Sequence, residues 1–131
     1  MVSNIQEFLS HENWAVVGVS ADPNKYGNKV YRQLKNAGYS VYGVNPKLDS
    51  LDGDTIYPTL SELPIKPEAV SVIVPPKITE QVVQECISLG IKRIWMQPGS
   101  ESTEAINNGL ANGLEVIHDQ CVLIQTRDKI K

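Results

Sequence analysis

Cysteine is scarce in this 131-residue chain, where Cys86 and Cys121 are the only two. Two are too few for the disulfide framework of a small secreted domain, and no Cys-x-x-Cys or Cys/His cluster offers zinc-ligand spacing. Long apolar runs are missing too: stretches such as Trp14 to Val19 are far too short to span a bilayer. The opening Met1-Val2-Ser3-Asn4 has neither the basic flank nor the apolar core of a signal peptide. The expectation is a cytoplasmic protein with no membrane partner and no structural metal. Positive charge is in deficit, with 12 Lys and Arg against 15 Asp and Glu, which argues against a nucleic-acid partner. The chain also lacks the Gly-x-Gly-x-x-Gly fingerprint and any Walker motif, so a P-loop kinase or ATPase is excluded.

What is present is ordinary globular composition, 41% hydrophobic and 21% charged, on a chain long enough to bury roughly two thirds of its unfolded surface in one domain. The charge is unevenly spread. Residues 1–47 hold five basic and three acidic side chains, and residues 48–131 hold seven and twelve. Lys29 and Arg32 read as a solvated helix face, whereas Lys25 and Lys47 fall in loops.

Short apolar runs alternate with amphipathic stretches. Trp14–Val19, Ser40–Val44, Ala69–Val74, Lys92–Met96 and Leu114–Ile117 read as strands, and their near-continuous hydrophobicity suits a parallel sheet covered on both faces. Tyr26, Val30 and Leu34 space one helix; Ile78, Val82, Val83, Cys86 and Ile87 space a second; Glu104–Ala111 makes a third, capped by Ser100 or Ser102. Gly38, Gly90 and Gly113 stand where helices end. Between Pro46 and Pro67 only Thr55-Ile56-Tyr57 offers a brief edge strand, with a degenerate crossover helix. The fold class is α/β, a Rossmann-like doubly wound parallel sheet in a single domain over 1–131. An N-terminal helix is expected at about 3–11 and a fraying charged tail at about 126–131.

In such folds ligands bind at the carboxyl ends of the strands. The first strand leads into Gly18-Val19-Ser20-Ala21-Asp22-Pro23-Asn24-Lys25-Tyr26-Gly27, where small residues, a helix N-terminus, the Ser20 hydroxyl and the Lys25 charge suit phosphates. The second ends Val44-Asn45-Pro46-Lys47. An NAD domain carries an acid there for the ribose hydroxyls. Here the acid is missing and a lysine is present, which disfavours NAD and favours a ribose bearing a phosphate, as in NADP or coenzyme A. Two further loops, Val74-Pro75-Pro76-Lys77 and Gln97-Pro98-Gly99-Ser100, end strands at the same edge.

Taken in order, Gly-Val-Ser, Val-Asn-Pro-Lys, Val-Pro-Pro, Gln-Pro-Gly and a late Asp-Gln-Cys resemble the stand-alone coenzyme A-binding domain proteins. These are similar to the N-terminal domain of the succinyl-CoA synthetase alpha subunit. The resemblance runs from about Ser3 to Ile124. It implies coenzyme A or acyl-CoA as ligand, with Gly18, Ser20, Lys25, Tyr26 and Gly27 at the phosphates and pantetheine arm. It further implies Asn45, Pro46 and Lys47 by the adenosine phosphate, Pro75 and Pro76 on the adenine side, and Gln97, Pro98, Gly99 and Ser100 along the arm. The first loop is longer than the synthetase's, and the synthetase's phosphorylated histidine belongs to a second domain, so its catalytic apparatus is expected to be absent here.

No nucleophile, base and orienting group stand together in the sequence, so the expected function is non-catalytic binding of a small-molecule CoA ligand. His118 reads as a hydrogen-bonded structural histidine, Cys86 as core and Cys121 as an inert thiol near the ligand edge. An NADP-linked or other nucleotide-dependent enzyme, or a redox-sensing domain of similar fold, is the alternative. The sequence leaves open a homodimer or an unknown protein partner.

Overall fold

The computed structural model describes residues 4–129; Ile130 and Lys131 of the expected tail, and Ser3 of the expected N-terminal helix, lie outside the described residues. In chain order the elements are α1 (Asn4–Leu9), β1 (Asn13–Val17), α2 (Tyr26–Asn36), β2 (Ser40–Val44), β3 (Ser50–Leu51), β4 (Asp54–Tyr57), β5 (Ala69–Val72), α3 (Pro76–Leu89), β6 (Arg93–Met96), α4 (Thr103–Ala111), β7 (Glu115–Ile117) and α5 (Val122–Thr126). They form one seven-stranded sheet in the order β3-β4-β2-β1-β5-β6-β7. Every pairing is parallel except β3 with β4. The Rossmann-like α/β reading holds. No helix among the described residues is long and apolar enough to cross a membrane.

Because successive strand residues point to opposite faces, each central strand serves two cores. On β1, Trp14 and Val16 pack with Phe8, Val30, Leu34 and Val122 from α1, α2 and α5. Ala15 and Val17 pack with Val82, Val83, Cys86 and Ala105 from α3 and α4. Burial on both faces explains why these strands read as unbroken apolar runs. Phe8 locks α1 to the body through ring contacts with Trp14 and Trp95 at 6.5 and 6.0 Å. Ser102 caps α4 by accepting from the Ala105 amide at 2.9 Å, and Gly90 closes α3 in the left-handed region at φ 76°.

Two stretches add to the sequence reading, which already contains the brief strand at Thr55-Ile56-Tyr57 and a degenerate crossover helix. The segment between Pro46 and Pro67 holds a β3–β4 hairpin around Asp52 and Gly53, both at positive φ, then a single 3-10 turn at Leu60–Glu62. Asp-Gly is the residue pair that such two-residue turns demand. The hairpin also meets the basic face of α2: Arg32 pairs with Asp52 at 2.8 Å, and Lys35 pairs with Asp54. The Lys35 hydrogen bond first, then that of Tyr31, holds the Asp54 carboxyl below its usual range. Toward the C-terminus, the chain does not fray at once but forms α5, where Thr126 is fully buried. Gln33 of α2 fastens it by donating to the Leu123 carbonyl at 2.6 Å and the Thr126 hydroxyl at 2.8 Å.

Candidate functional site

The loop after β1 is built on two close approaches. Gly18 sits at φ +99°, and a Cβ there would lie 2.2 Å from the Ile73 carbonyl oxygen. A Cβ on Gly27 would lie 2.0 Å from the Gly18 oxygen. Both positions therefore need glycine, and together they press the first turn of α2 against the end of β1. Between them the loop satisfies itself. The Ser20 hydroxyl accepts from the Asp22 amide at 3.1 Å, Asp22 Oδ1 accepts from the Asn24 amide at 2.9 Å, and Asn28 Nδ2 donates to the Ser20 carbonyl at 2.8 Å. Lys25 is the N-cap of α2 without a side-chain cap bond. The Tyr26 and Gly27 amides that follow have no acceptor among the described residues, as expected at an uncapped helix start.

Asn45 joins this loop to its neighbour. Its amide donates to the Tyr57 carbonyl at 2.9 Å, its Nδ2 donates to the Val19 carbonyl at 2.8 Å, and its Oδ1 accepts from the Lys47 amide at 2.8 Å. The turn is thereby fixed while Pro46 and Lys47 stay exposed.

Two cavities open along this edge and share Gly18 and Asn45. One, of about 480 Å³, is bounded by Ser20, Asn24, Lys25, Tyr26, Gly27 and Ile73. The other, of about 410 Å³, runs between Val17, Val44, Pro46, Pro58, Thr59 and Val74 on one side and Ile78, Gln81, Val82 and Glu85 of α3 on the other. Of the residues proposed from sequence, Gly18, Ser20, Lys25, Tyr26, Gly27, Asn45 and Pro46 line this double cleft. Tyr26 does not pack on the sheet but is 59% exposed, with Lys29 Nζ 5.7 Å from its ring centroid. Lys47, Pro75, Pro76, Pro98 and Gly99 stand exposed at the same edge without lining either cavity.

Gln97 and Ser100 are buried, and their side chains serve the fold. Gln97 Oε1 accepts from the Val122 amide at 3.0 Å while its Nε2 donates to Cys121 Sγ at 2.9 Å. The Ser100 hydroxyl accepts from the Val74 amide at 3.1 Å, tying two edge loops together. Sequence reasoning missed Pro58, Thr59, Gln81 and Glu85 as lining residues. The signal was available for α3, where 78, 81, 82 and 85 follow helical spacing. Among the thiols, burial pushes Cys86 up to about 12, aided by the nearby Glu85 charge. His118 is hydrogen-bonded, as expected, but exposed, its Nδ1 2.6 Å from Asp119 Oδ2.

A mostly parallel sheet whose order reverses between β1 and β5, with a cleft at that reversal, defines the class: a Rossmann-like α/β domain with a cleft at the topological switch point. A model of the CoA binding domain matches residues 12–127, and the chain belongs to that family. It is 28% identical over 126 residues to the Acetate--CoA ligase [ADP-forming] II subunit alpha of Pyrococcus furiosus, covering 88% of this chain and 28% of that one. It is 27% identical over 118 residues to Acetate--CoA ligase [ADP-forming] I of Archaeoglobus fulgidus, covering 82% and 17%. The chain thus spans less than a third of these ligases. The protein YneT of Bacillus subtilis is matched at 28% identity over 93% of this chain and 91% of its own length. A solved structure of a Pyrococcus horikoshii OT3 protein superposes with TM-score 0.91 and 32% identity, covering 95% and 89%.

Proposed function

We propose that this chain binds coenzyme A or an acyl-CoA in the double cleft and performs no chemistry on it. The observation that carries the reading is the junction of the two cavities at Gly18 and Asn45, which sets a donor-rich lobe beside an apolar one. The diphosphate lies over the start of α2, where the Tyr26 and Gly27 amides, the helix dipole and Lys25 meet negative charge. Adenine fills the apolar lobe. Lys47, exposed just past it, meets the ribose 3′-phosphate, and the pantetheine arm runs toward Pro98 and Gly99. Membership of the CoA-binding family supports the ligand.

The state of the candidate nucleophiles and bases supports the absence of chemistry. Cys86 is buried and held as a thiol, Cys121 is hydrogen-bonded to Gln97, and among the described residues His118 engages only Asp119. Among the described residues none forms a nucleophile-base pair. Titration calorimetry with coenzyme A, NADP and NAD tests the proposal. Coenzyme A is expected to bind at least about tenfold more tightly than NAD, which is about 1.4 kcal/mol. Equal or tighter NAD binding refutes the reading.

A further inference from the structure

Along α3, polar side chains divide by what they meet. Glu80 accepts from the Ser102 hydroxyl at 2.9 Å and Gln84 from Asn108 Nδ2 at 3.4 Å, so both fasten α3 to α4. Gln81 and Glu85, on the adjacent stripe, line the apolar cavity opposite Val17, Val44 and Val74. Neither makes a hydrogen bond or an ion pair among the described residues. The Glu85 carboxylate, partly exposed on the cavity wall, leaves its acceptor capacity open to a donor that enters the lobe. Its charge would also repel any phosphate placed in that lobe, which leaves the phosphates to the lobe of Lys25. The cleft is therefore polarised, with donors at the helix start and an acceptor at the far wall.

We propose that Glu85, with Gln81 beside it, reads the exocyclic amine of the base and makes the site selective for adenine over a base with a carbonyl at that position. Adenine presents a donor at N6, whereas hypoxanthine presents a carbonyl oxygen there. A carboxylate that meets this group on its N7 side, away from the N1–H donor that hypoxanthine gains, makes a charge-assisted hydrogen bond with the first and sets two acceptors face to face with the second. The inference rests on the proposed seating of the base in this lobe.

The test compares coenzyme A with its deaminated analogue, in which hypoxanthine replaces adenine, on the wild-type chain and on Glu85→Gln. Both changes conserve volume, so packing is constant across the four combinations. The wild type is expected to prefer coenzyme A by at least about tenfold. In Glu85→Gln, whose amide can donate to the carbonyl, the preference is expected to fall to within about twofold. An unchanged melting temperature shows that the variant is folded; should it not be, Gln81→Glu, which adds a second acceptor to the same wall, is expected to raise the wild-type preference. A preference that is absent in the wild type, or unchanged in the variants while coenzyme A still binds, overturns this inference alone. Failure of the wild type to bind coenzyme A overturns it together with the proposed function.

Discussion

The two edges of the sheet are built to opposite rules. At the N-terminal edge of the strands, charged groups are spent on one another and on the backbone. Glu68 accepts from the Glu12 and Asn13 amides at 3.2 and 3.1 Å and from His11 Nδ1 at 3.1 Å. Arg93 lies between Glu7 at 3.4 Å and Glu115 at 3.3 Å. His11 Nε2 is the exception, buried without a hydrogen bond and 3.7 Å from Glu7 Oε2. At the C-terminal edge, Lys25, Lys47, Gln81 and Glu85 make no side-chain hydrogen bond or ion pair among the described residues, while the backbone beneath them is held by Asn45, Asn28 and Ser100. A satisfied edge stabilises the fold; a rigid edge with unspent donors and acceptors is ready for a ligand.

Substitutions on either side probe that contrast, and the largest effect belongs where the open edge is also structural. Gly18→Ala forces an unfavourable φ and a collision with the Ile73 carbonyl, and urea unfolding is expected to show a loss of about 3 kcal/mol. Lys47→Ala is expected to weaken coenzyme A by about 2 kcal/mol in calorimetry with the melting temperature unchanged. That loss should shrink for dephospho-coenzyme A, which lacks the phosphate, and an equal loss with both ligands would remove Lys47 from the site.

Glu68→Ala reverses the pattern, with coenzyme A affinity intact and stability lower by about 1 kcal/mol, a figure discounted for its 41% exposed side chain. The bond from the Asn13 amide, then that from His11, lowers the Glu68 pKa below the ordinary 4.5. The folded state thus favours the ionised form, so its contribution is full above pH 4.5 and is lost as pH falls through the lowered value. Acid titration of stability should therefore be shallower in Glu68→Gln. The smallest effect is none: acetyl-CoA and succinyl-CoA, with or without ATP, are expected to show no turnover that Cys121→Ala or His118→Ala abolishes.

The sequence made the central strands legible because Trp14–Val17 and Ala69–Val72 are buried on both faces and admit few polar residues. Thr55-Ile56-Tyr57 marked β4, but its hairpin partner β3 was hidden because it is only two residues long, although Asp52-Gly53 announced the turn. α5 is five residues long, too short to show a period. At the site, the loop positions could be read from glycine spacing and the lysines. Which way Gln97 and Ser100 turn could not, since a polar residue at a strand end can face a ligand or bond a neighbouring loop. Gln81 and Glu85 were missed for a related reason: Ile78 and Val82 flank them, and an apolar helix stripe reads as core whether it faces a sheet or a cleft.

Amide hydrogen exchange with and without saturating coenzyme A puts the contrast between the edges to its most direct test. Protection is expected at residues 18–28, 44–47 and 73–85, with exchange at 11–13 and at Glu68 unchanged beyond any uniform shift from ligand-linked stability. Protection centred on residues 11–13 and Glu68, or coenzyme A binding that leaves 18–28 and 44–47 unprotected, would contradict the assignment of the open edge as the ligand site.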